Sequence, residues 1–127
     1  MKTNLEIVKN MYAGGPPAVL EALAPDVEWT EAAGFPYAGT YHGPDEIVKN
    51  VFFRLGTEWD GFRVLPGEFH DAGENIIMTG FYEGTYKASG KPMRASVAHV
   101  LTLRDGKIVR FVQYVDSRKV WDAMGNG

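Results

Sequence analysis

The sequence predicts an α+β fold in which a cone-shaped, strongly curved antiparallel sheet wraps around three helices and encloses one mainly apolar pocket. Two short helix patterns, one strand and a third helix come first, and four strand-like apolar runs follow. Consecutive strands joined by short turns pair antiparallel, so the second half predicts a meander. No linker, charge block or repeat divides residues 1–127, which predicts one domain.

The first quarter of the chain predicts two short helices. Thr3 and Glu6 form a capping box, and apolar residues at helical spacing follow as far as Gly14. A proline pair then suits the first turn of a second helix. This helix is predicted to end before Pro25, because the residue preceding a proline avoids helical ψ.

One strand and a third helix complete the first half. The strand is predicted over residues 27–32, and its alternation places Trp29 and Glu31 on one face. Residues 33–43 contain glycine and proline and predict a loop. A third helix is predicted over residues 44–55, because a proline suits its first turn and a glycine follows its end.

The second half predicts four strands and a final helical turn. The strand-like runs share β-branched and aromatic residues, and they cover residues 62–69, 75–87, 93–103 and 108–115. Pro66 and Gly67 predict a bulge that bends the sheet. Asp105 and Gly106 supply the positive φ angles that a short hairpin needs. Asp116 can cap the last helical turn.

Composition argues against several classes of function. A net charge of -3, from 13 basic and 16 acidic residues, offers no cationic surface to nucleic acid or to anionic lipid. Cysteine is absent, and no spacing of histidines and carboxylates predicts a metal site, so we expect neither metal nor cofactor. No apolar run predicts a signal peptide or a membrane span, so we expect a cytoplasmic protein.

Glu31 is the most informative candidate for chemistry. A carboxylate on the Trp29 face of a strand must reach solvent, find a cationic partner or remain partly neutral in a desolvated site. In the desolvated case its pKa rises towards working pH, which suits a general base that removes a proton next to a carbonyl. The alternative is a residue at the pocket rim with an ordinary pKa.

Three polar residues of the last two strands are further candidates. His99 shares the predicted core face with Leu101, either as a hydrogen-bonded core residue or as a catalytic or substrate-contacting group. Gln113 shares a face with Phe111 and can hydrogen-bond a ligand at the pocket floor. Asp116 follows the last strand as either a functional carboxylate or a helix N-cap.

Aromatic residues can line the pocket or form ordinary core. Tyr12 lies on the buried stripe of the first helix, where its phenol can stabilise an oxyanion or simply anchor packing. The other aromatic candidates for the pocket wall are Trp29, Phe35, Tyr37, Phe52, Trp59, Phe81 and Tyr82.

Short motifs of this chain resemble one protein group. They are PDVEW, YAGTYHG, VFF and HVLTLRDGKI, at residues 25–29, 37–43, 51–53 and 99–108. The chain resembles the SnoaL-like polyketide cyclases and ketosteroid isomerase-like proteins of the nuclear transport factor 2-like superfamily over nearly its whole length. The resemblance implies the cystatin-like cone, with a deep pocket between sheet and helices. It also implies a homodimer formed through the outer face of the sheet.

The resemblance also implies roles for individual residues. Ketosteroid isomerases have a base after the tryptophan-like strand position, an oxyanion donor on the penultimate strand and a tyrosine from the first helix. The matching positions here are Glu31, His99 and Tyr12, although the isomerases carry a carboxylic acid where His99 stands. In SnoaL-like cyclases an aspartate near the end of the sheet is the base, which implies Asp116.

Three functions remain open from the sequence. The first is a cofactor-free isomerase or cyclase, in which Glu31 removes a proton next to a carbonyl while His99, helped by Tyr12 or Gln113, stabilises the enolate. The second is a non-catalytic binding domain for a hydrophobic metabolite, with Glu31 and His99 paired to each other. The third is a structural dimerisation module. The expected partners are a small hydrophobic or carbonyl-containing molecule and a second copy of the chain.

Overall fold

The computed structural model describes residues 2–125 and confirms the predicted α+β class. Its helices are α1 (Asn4–Gly14), α2 (Pro16–Ala22), α3 (Gly43–Ile47), α4 (Phe53–Glu58) and α5 (Ser117–Ala123). Its strands are β1 (Leu23–Glu31), β2 (Gly39–His42), β3 (Trp59–Ala72), β4 (Asn75–Tyr86), β5 (Pro92–Arg104) and β6 (Lys107–Val115). The six strands form one sheet.

The sheet has the strand order β2-β1-β6-β5-β4-β3. The predicted meander is confirmed, since β3 to β6 pair antiparallel in sequence order. The expectation of a fully antiparallel sheet is wrong at one place, because β1 and β6 pair parallel. Between β1 and β6 the chain reverses its direction an even number of times. β6 therefore runs in the same direction as β1 and lies beside it.

The edge strand β2 lies within residues 33–43, where the sequence predicts a loop. It has four residues and pairs antiparallel with β1, for example Trp29 with Tyr41. Most of its residues are exposed. A strand without a buried face has no alternating pattern for the sequence to reveal.

The predicted third helix is two α-helical segments joined by a π-helical turn, Val48–Phe52. The wider turn rotates successive side chains relative to a regular helix. Phe52 packs edge-on against Trp29 with ring centroids 5.7 Å apart, whereas the adjacent Phe53 is 64% exposed. Of these two consecutive aromatic side chains, one faces the core and the next faces solvent.

Two predicted backbone features of the sheet are present. The pairing of β3 with β4 shifts between Pro66 and Glu68, which is the bulge that Pro66 and Gly67 predict. Asp105 and Gly106 have φ angles of 52° and 78° in the hairpin between β5 and β6. An aspartate tolerates this left-handed conformation better than most residues do.

The core lies between the concave face of the sheet and the helices. Side chains of β5 from Met93 to Leu103 alternate in burial, so every second residue faces inward. Val8 and Met11 of α1 pack on this inner face. Among residues 2–125 no helix has both the length and the apolarity to cross a membrane. The cytoplasmic location stays a prediction.

Candidate functional site

Three polar side chains are buried in the interior of the cone. Glu31 and His99 are each 3% exposed, and Gln113 is 2% exposed. They come from β1, β5 and β6, which are neighbours in the sheet, and His99 is paired directly with Gln113 in the β5–β6 register. Strand alternation points all three towards the helices, so the fold gathers them on one concave surface.

The Glu31 carboxyl group has few polar contacts. Among the described residues its one hydrogen bond comes from the indole Nε1 of Trp29, which donates to Oε2 over 3.3 Å. Burial raises the pKa of Glu31 to about 8, and the indole hydrogen bond offsets part of that rise. A carboxyl group with this pKa can both take and release a proton near neutral pH.

His99 has a polar partner on each ring nitrogen. The hydroxyl oxygen of Tyr12 lies 2.6 Å from Nδ1, and that of Tyr82 lies 2.6 Å from Nε2. The ring also packs edge-on against Phe111, with centroids 4.6 Å apart. Burial lowers the pKa of His99 to about 3, so the imidazole is neutral across the physiological range.

Gln113 connects this histidine to β1. Its Nε2 donates to the Tyr82 hydroxyl over 2.9 Å, and its Oε1 accepts the backbone N–H of Ala32 over 3.0 Å. We call the four side chains Tyr12, His99, Tyr82 and Gln113 the histidine network. Its end at Ala32 adjoins Glu31 in the chain.

Glu31 and His99 lie in the same interior without bonding each other. Each has other hydrogen-bond partners among the described residues, so the pairing that the binding hypothesis assumed is wrong. An aromatic stack adjoins both groups, since Trp29 lies 3.7 Å from Phe111, centroid to centroid. Burial raises the pKa of Tyr82 first, and the nearby charge of Glu31 raises it further. That charge is present only when Glu31 is ionised, since burial favours its neutral form.

The aromatic candidates divide between two clusters. Trp29 and Phe52 pack with α1, and Phe35, Tyr37 and Trp59 pack around β4 and β5. In the second cluster the Tyr37 hydroxyl donates to Glu58 over 2.6 Å and accepts from Trp59 Nε1 over 3.0 Å. Tyr37 and Trp59 thus have internal partners for their polar atoms, as structural core residues do.

The structure does not bring Asp116 to the other candidates. It is exposed at the N-cap position of α5, and its side chain makes no capping hydrogen bond. Its backbone N–H donates to the carbonyl of Ser96 over 2.9 Å. Asp116 therefore occupies the predicted N-cap position without capping through its side chain, and as a base it lacks the desolvation that Glu31 has.

Tyr82 is expected from the sequence only as one of several aromatic candidates for the pocket wall, and its hydrogen bond with His99 is not predicted. Its alternation with Met78 on β4 signals an inward side chain. That signal is equally typical of ordinary core. The contact with His99 depends on which residues face each other across β4, β5 and β6, and a single sequence does not give that register.

Two surface depressions lie away from the polar interior. One of about 220 Å³ lies between α1 and α2 and includes Met11 and Lys107, and one of about 420 Å³ lies beside Arg63 and Arg94. Neither is lined by Glu31 or His99. Residues 2–125 contain no group of three or more histidines and carboxylates placed to hold a metal. Aromatic side chains contact the polar interior, Phe111 at His99 and Trp29 at Glu31, and Tyr12 is its half-buried member.

Comparison with known proteins identifies relatives for almost the whole chain. A family model described as a SnoaL-like domain matches residues 6–111. The structure of an NTF2-like protein from Burkholderia thailandensis is 48% identical, with a TM-score of 0.94 and 98% of each chain covered. An NTF2-like protein of unknown function from Burkholderia pseudomallei is 30% identical, with a TM-score of 0.86 and coverage of 97% of this chain and 98% of that one.

A third relative was crystallised with a small molecule. TerC, co-crystallised with polyporic acid, is 28% identical, with a TM-score of 0.85 and coverage of 96% of this chain and 98% of that one. No curated protein matches the chain. The family match and the structural matches confirm the predicted family and fold class.

Proposed function

We propose, from the premise that this chain belongs to the SnoaL-like domain family, that it is a cofactor-free isomerase or cyclase. The reaction would begin with removal of a proton next to a carbonyl group. The observation that carries the proposal is the Glu31 carboxyl group, 3% exposed and with a pKa raised to about 8, in the same interior as the histidine network. Buried carboxyl groups without a cationic partner are rare in structural cores and suit proton transfer.

The proposed step uses two groups of the chain. The Glu31 carboxylate takes a proton from the carbon next to the carbonyl, and the bonding electrons move to the carbonyl oxygen as an enolate. The Tyr12 hydroxyl, at the half-buried end of the network, donates a hydrogen bond to that oxygen. Return of the proton from Glu31 to another carbon completes an isomerisation. For a cyclisation, the enolate carbon attacks a second carbonyl, whose oxygen becomes an alkoxide and takes the proton back from Glu31.

Ligand entry requires movement of side chains. Glu31 is enclosed, and Tyr12 and Phe52 belong to the half-buried apolar shell of the first cluster. Displacing these side chains loses packing contacts. An aromatic ligand restores such contacts by filling the same space. The enclosed site therefore favours a flat aromatic ligand with carbonyl oxygens. Polyporic acid, crystallised with TerC, is a suitable first probe for binding.

The proposal is tested with β,γ-unsaturated ketones in heavy water. We expect double-bond migration by absorbance and deuterium incorporation by mass spectrometry, both lost in Glu31→Gln. The matched control is Glu28→Gln, because Glu28 lies on the same strand with an exposed side chain near Arg110. Full activity of Glu31→Gln contradicts the assigned base, and loss of activity in Asp116→Asn alone would transfer that role to Asp116.

A non-catalytic binding domain is the second candidate. The low exposure of Glu31 and His99 favours it, as do the two hydrogen bonds that satisfy the imidazole. In that case calorimetry would detect a bound aromatic ligand while no carbonyl compound exchanged its protons. Binding that is equal in wild type and Glu31→Gln would then support storage or transport.

We further propose that a second copy covers the outer face of the sheet. Ile77, Val100 and Val112 align across β4, β5 and β6 as a half-buried apolar row. Beside them Tyr114 is 59% exposed and Phe81 is 37% exposed. A continuous apolar patch on an open sheet is typical of an interface. Sedimentation should give a dimer for wild type and a monomer for Val100→Lys, and a wild-type monomer contradicts the proposal.

A further inference from the structure

We infer that Gln113 and Tyr82 are positioning residues that hold His99 as the Nδ1–H tautomer and so leave the Tyr12 hydroxyl hydrogen free for a ligand. The inference rests on the proposed function only in its last clause, which concerns the ligand. The order of donors and acceptors follows from the hydrogen bonds of the histidine network themselves.

The direction of the network is set at its β1 end. The backbone N–H of Ala32 is a donor, so the Gln113 atom 3.0 Å from it must be the carbonyl oxygen Oε1. The other end of the amide, Nε2, is then a donor, and it lies 2.9 Å from the Tyr82 hydroxyl oxygen. Gln113 therefore donates a hydrogen bond to Tyr82 and accepts none from it.

Tyr82 must place its own hydroxyl hydrogen elsewhere. Among the described residues its second partner is His99 Nε2, 2.6 Å away. If Nε2 carried a hydrogen, Tyr82 would receive two hydrogens and its own would be buried without an acceptor, because Tyr82 is 4% exposed. An unpaired buried donor is destabilising. Tyr82 therefore donates to Nε2, and the imidazole hydrogen is on Nδ1.

The same count of donors and acceptors assigns the hydroxyl hydrogen of Tyr12. His99 Nδ1–H donates to the Tyr12 hydroxyl oxygen over 2.6 Å, so the hydrogen of that hydroxyl is not used within the network. Each arrangement of a neutral network leaves one spare hydrogen, on Tyr12 or on Tyr82. Tyr12 is half-buried whereas Tyr82 is 4% exposed, so the spare hydrogen is better placed on Tyr12. Burial of His99 also disfavours the doubly protonated imidazolium.

The consequence is a preference for ligands that accept a hydrogen bond at Tyr12. A carbonyl, an enolate or a phenolate oxygen can accept the spare hydrogen, whereas an ammonium group or an alcohol acting only as a donor cannot. His99 acts through Tyr12 and does not touch the ligand. Substituting the neutral amide of Gln113 should therefore alter the network without removing any group that contacts the ligand.

The test is a two-bond ¹H–¹⁵N correlation spectrum of the histidine rings in the whole protein. We expect His99, assigned by comparison with His42→Gln and His70→Gln, to show a protonated Nδ1 and an unprotonated Nε2. A protonated Nε2 with a bare Nδ1, or an imidazolium at neutral pH, overturns the inference. Absence of enzyme activity leaves this spectrum unchanged, so failure of the proposed function is distinguishable from failure of the tautomer assignment.

A pair of variants isolates the role of Gln113. Gln113→Met removes the donor to Tyr82 with little change in shape, and we expect the Nε2 signal to shift towards the protonated position as both tautomers become populated. Tyr114→Phe changes the next residue of the strand on its exposed face and should leave the spectrum unchanged. An unchanged tautomer in folded Gln113→Met overturns the role of Gln113, and the wild-type spectrum decides the tautomer whether or not the variant folds.

Discussion

Glu31 and His99 are equally buried and differ in how they are satisfied. The carboxyl group has one hydrogen bond of 3.3 Å, whereas each nitrogen of the imidazole has a partner at 2.6 Å. Burial raises the pKa of Glu31 to about 8 and lowers that of His99 to about 3, so both groups are held neutral around pH 6. The difference separates a group kept available for proton exchange from a group kept in one orientation.

The largest expected effect is on turnover through Glu31. Glu31→Gln keeps the shape of the side chain and removes its ability to take a proton. A positioned general base contributes about 10²–10⁴-fold to rate, so kcat should fall by that order with a carbonyl substrate. Single-turnover kinetics would measure the fall. If His99→Gln abolished turnover while Glu31→Gln did not, the general base would be His99 and not Glu31.

The next effect concerns the aromatic stack that adjoins both groups. Trp29 is 5% exposed and stacks on Phe111, so Trp29→Ala should lower the free energy of unfolding by about 3–5 kcal/mol. Trp121 is half-buried, and its indole donates to the carbonyl of Gly34, so Trp121→Ala should cost clearly less. Urea unfolding of the two variants measures the contrast. Equal losses would mean that the stack adds nothing beyond ordinary packing.

The pH dependence of stability should separate the two groups directly. The folded pKa of Glu31 is above its ordinary 4.5, so the free energy of unfolding falls as the pH rises from 4.5 to about 8. The folded pKa of His99 is below its ordinary 6.5, so the free energy of unfolding falls as the pH drops from 6.5 to about 3. Each slope is at most about 1.4 kcal/mol per pH unit.

These opposite slopes predict two difference curves. The free energy of unfolding of wild type minus that of Glu31→Gln should decline above about pH 4.5. The same difference for His99→Gln should decline below pH 6.5, where the unfolded chain protonates this histidine and the folded protein does not. Between these values the two effects cancel in the wild type. Urea titrations at several pH values give both curves, and parallel curves for wild type and Glu31→Gln would show that its pKa is ordinary.

The smallest effects distinguish the two ends of the histidine network. Tyr82→Phe leaves Gln113 Nε2 and His99 Nε2 buried without their partner, which should cost about 1–3 kcal/mol. Tyr12→Phe removes one bond at a half-buried position and should cost about 0.5–1.5 kcal/mol. Thermal or urea unfolding ranks them. A larger loss of stability in Tyr12→Phe than in Tyr82→Phe would show that the Tyr12 end of the network contributes more to the free energy of unfolding.

The sequence predicts those parts of the molecule that depend on local patterns. Alternation in β1 and β5 places Glu31 and His99 inward, and the turn at Asp105 and Gly106 follows from backbone preference. The parallel pairing of β1 with β6 is a property of the whole topology. The π-helical turn and the partnership of Tyr82 with His99 depend on packing and register, which have no local signature.

The proposed activity depends on Glu31 being a desolvated carboxyl group that exchanges a proton near neutral pH. The most direct measurement is a ¹³C NMR titration of its side-chain carboxyl carbon, assigned by loss of the signal in Glu31→Gln. The structure predicts a midpoint near 8, well above the ordinary 4.5. A midpoint near 4.5 would contradict the claim, because it would show that water reaches the carboxylate and that the cone does not activate it as a base.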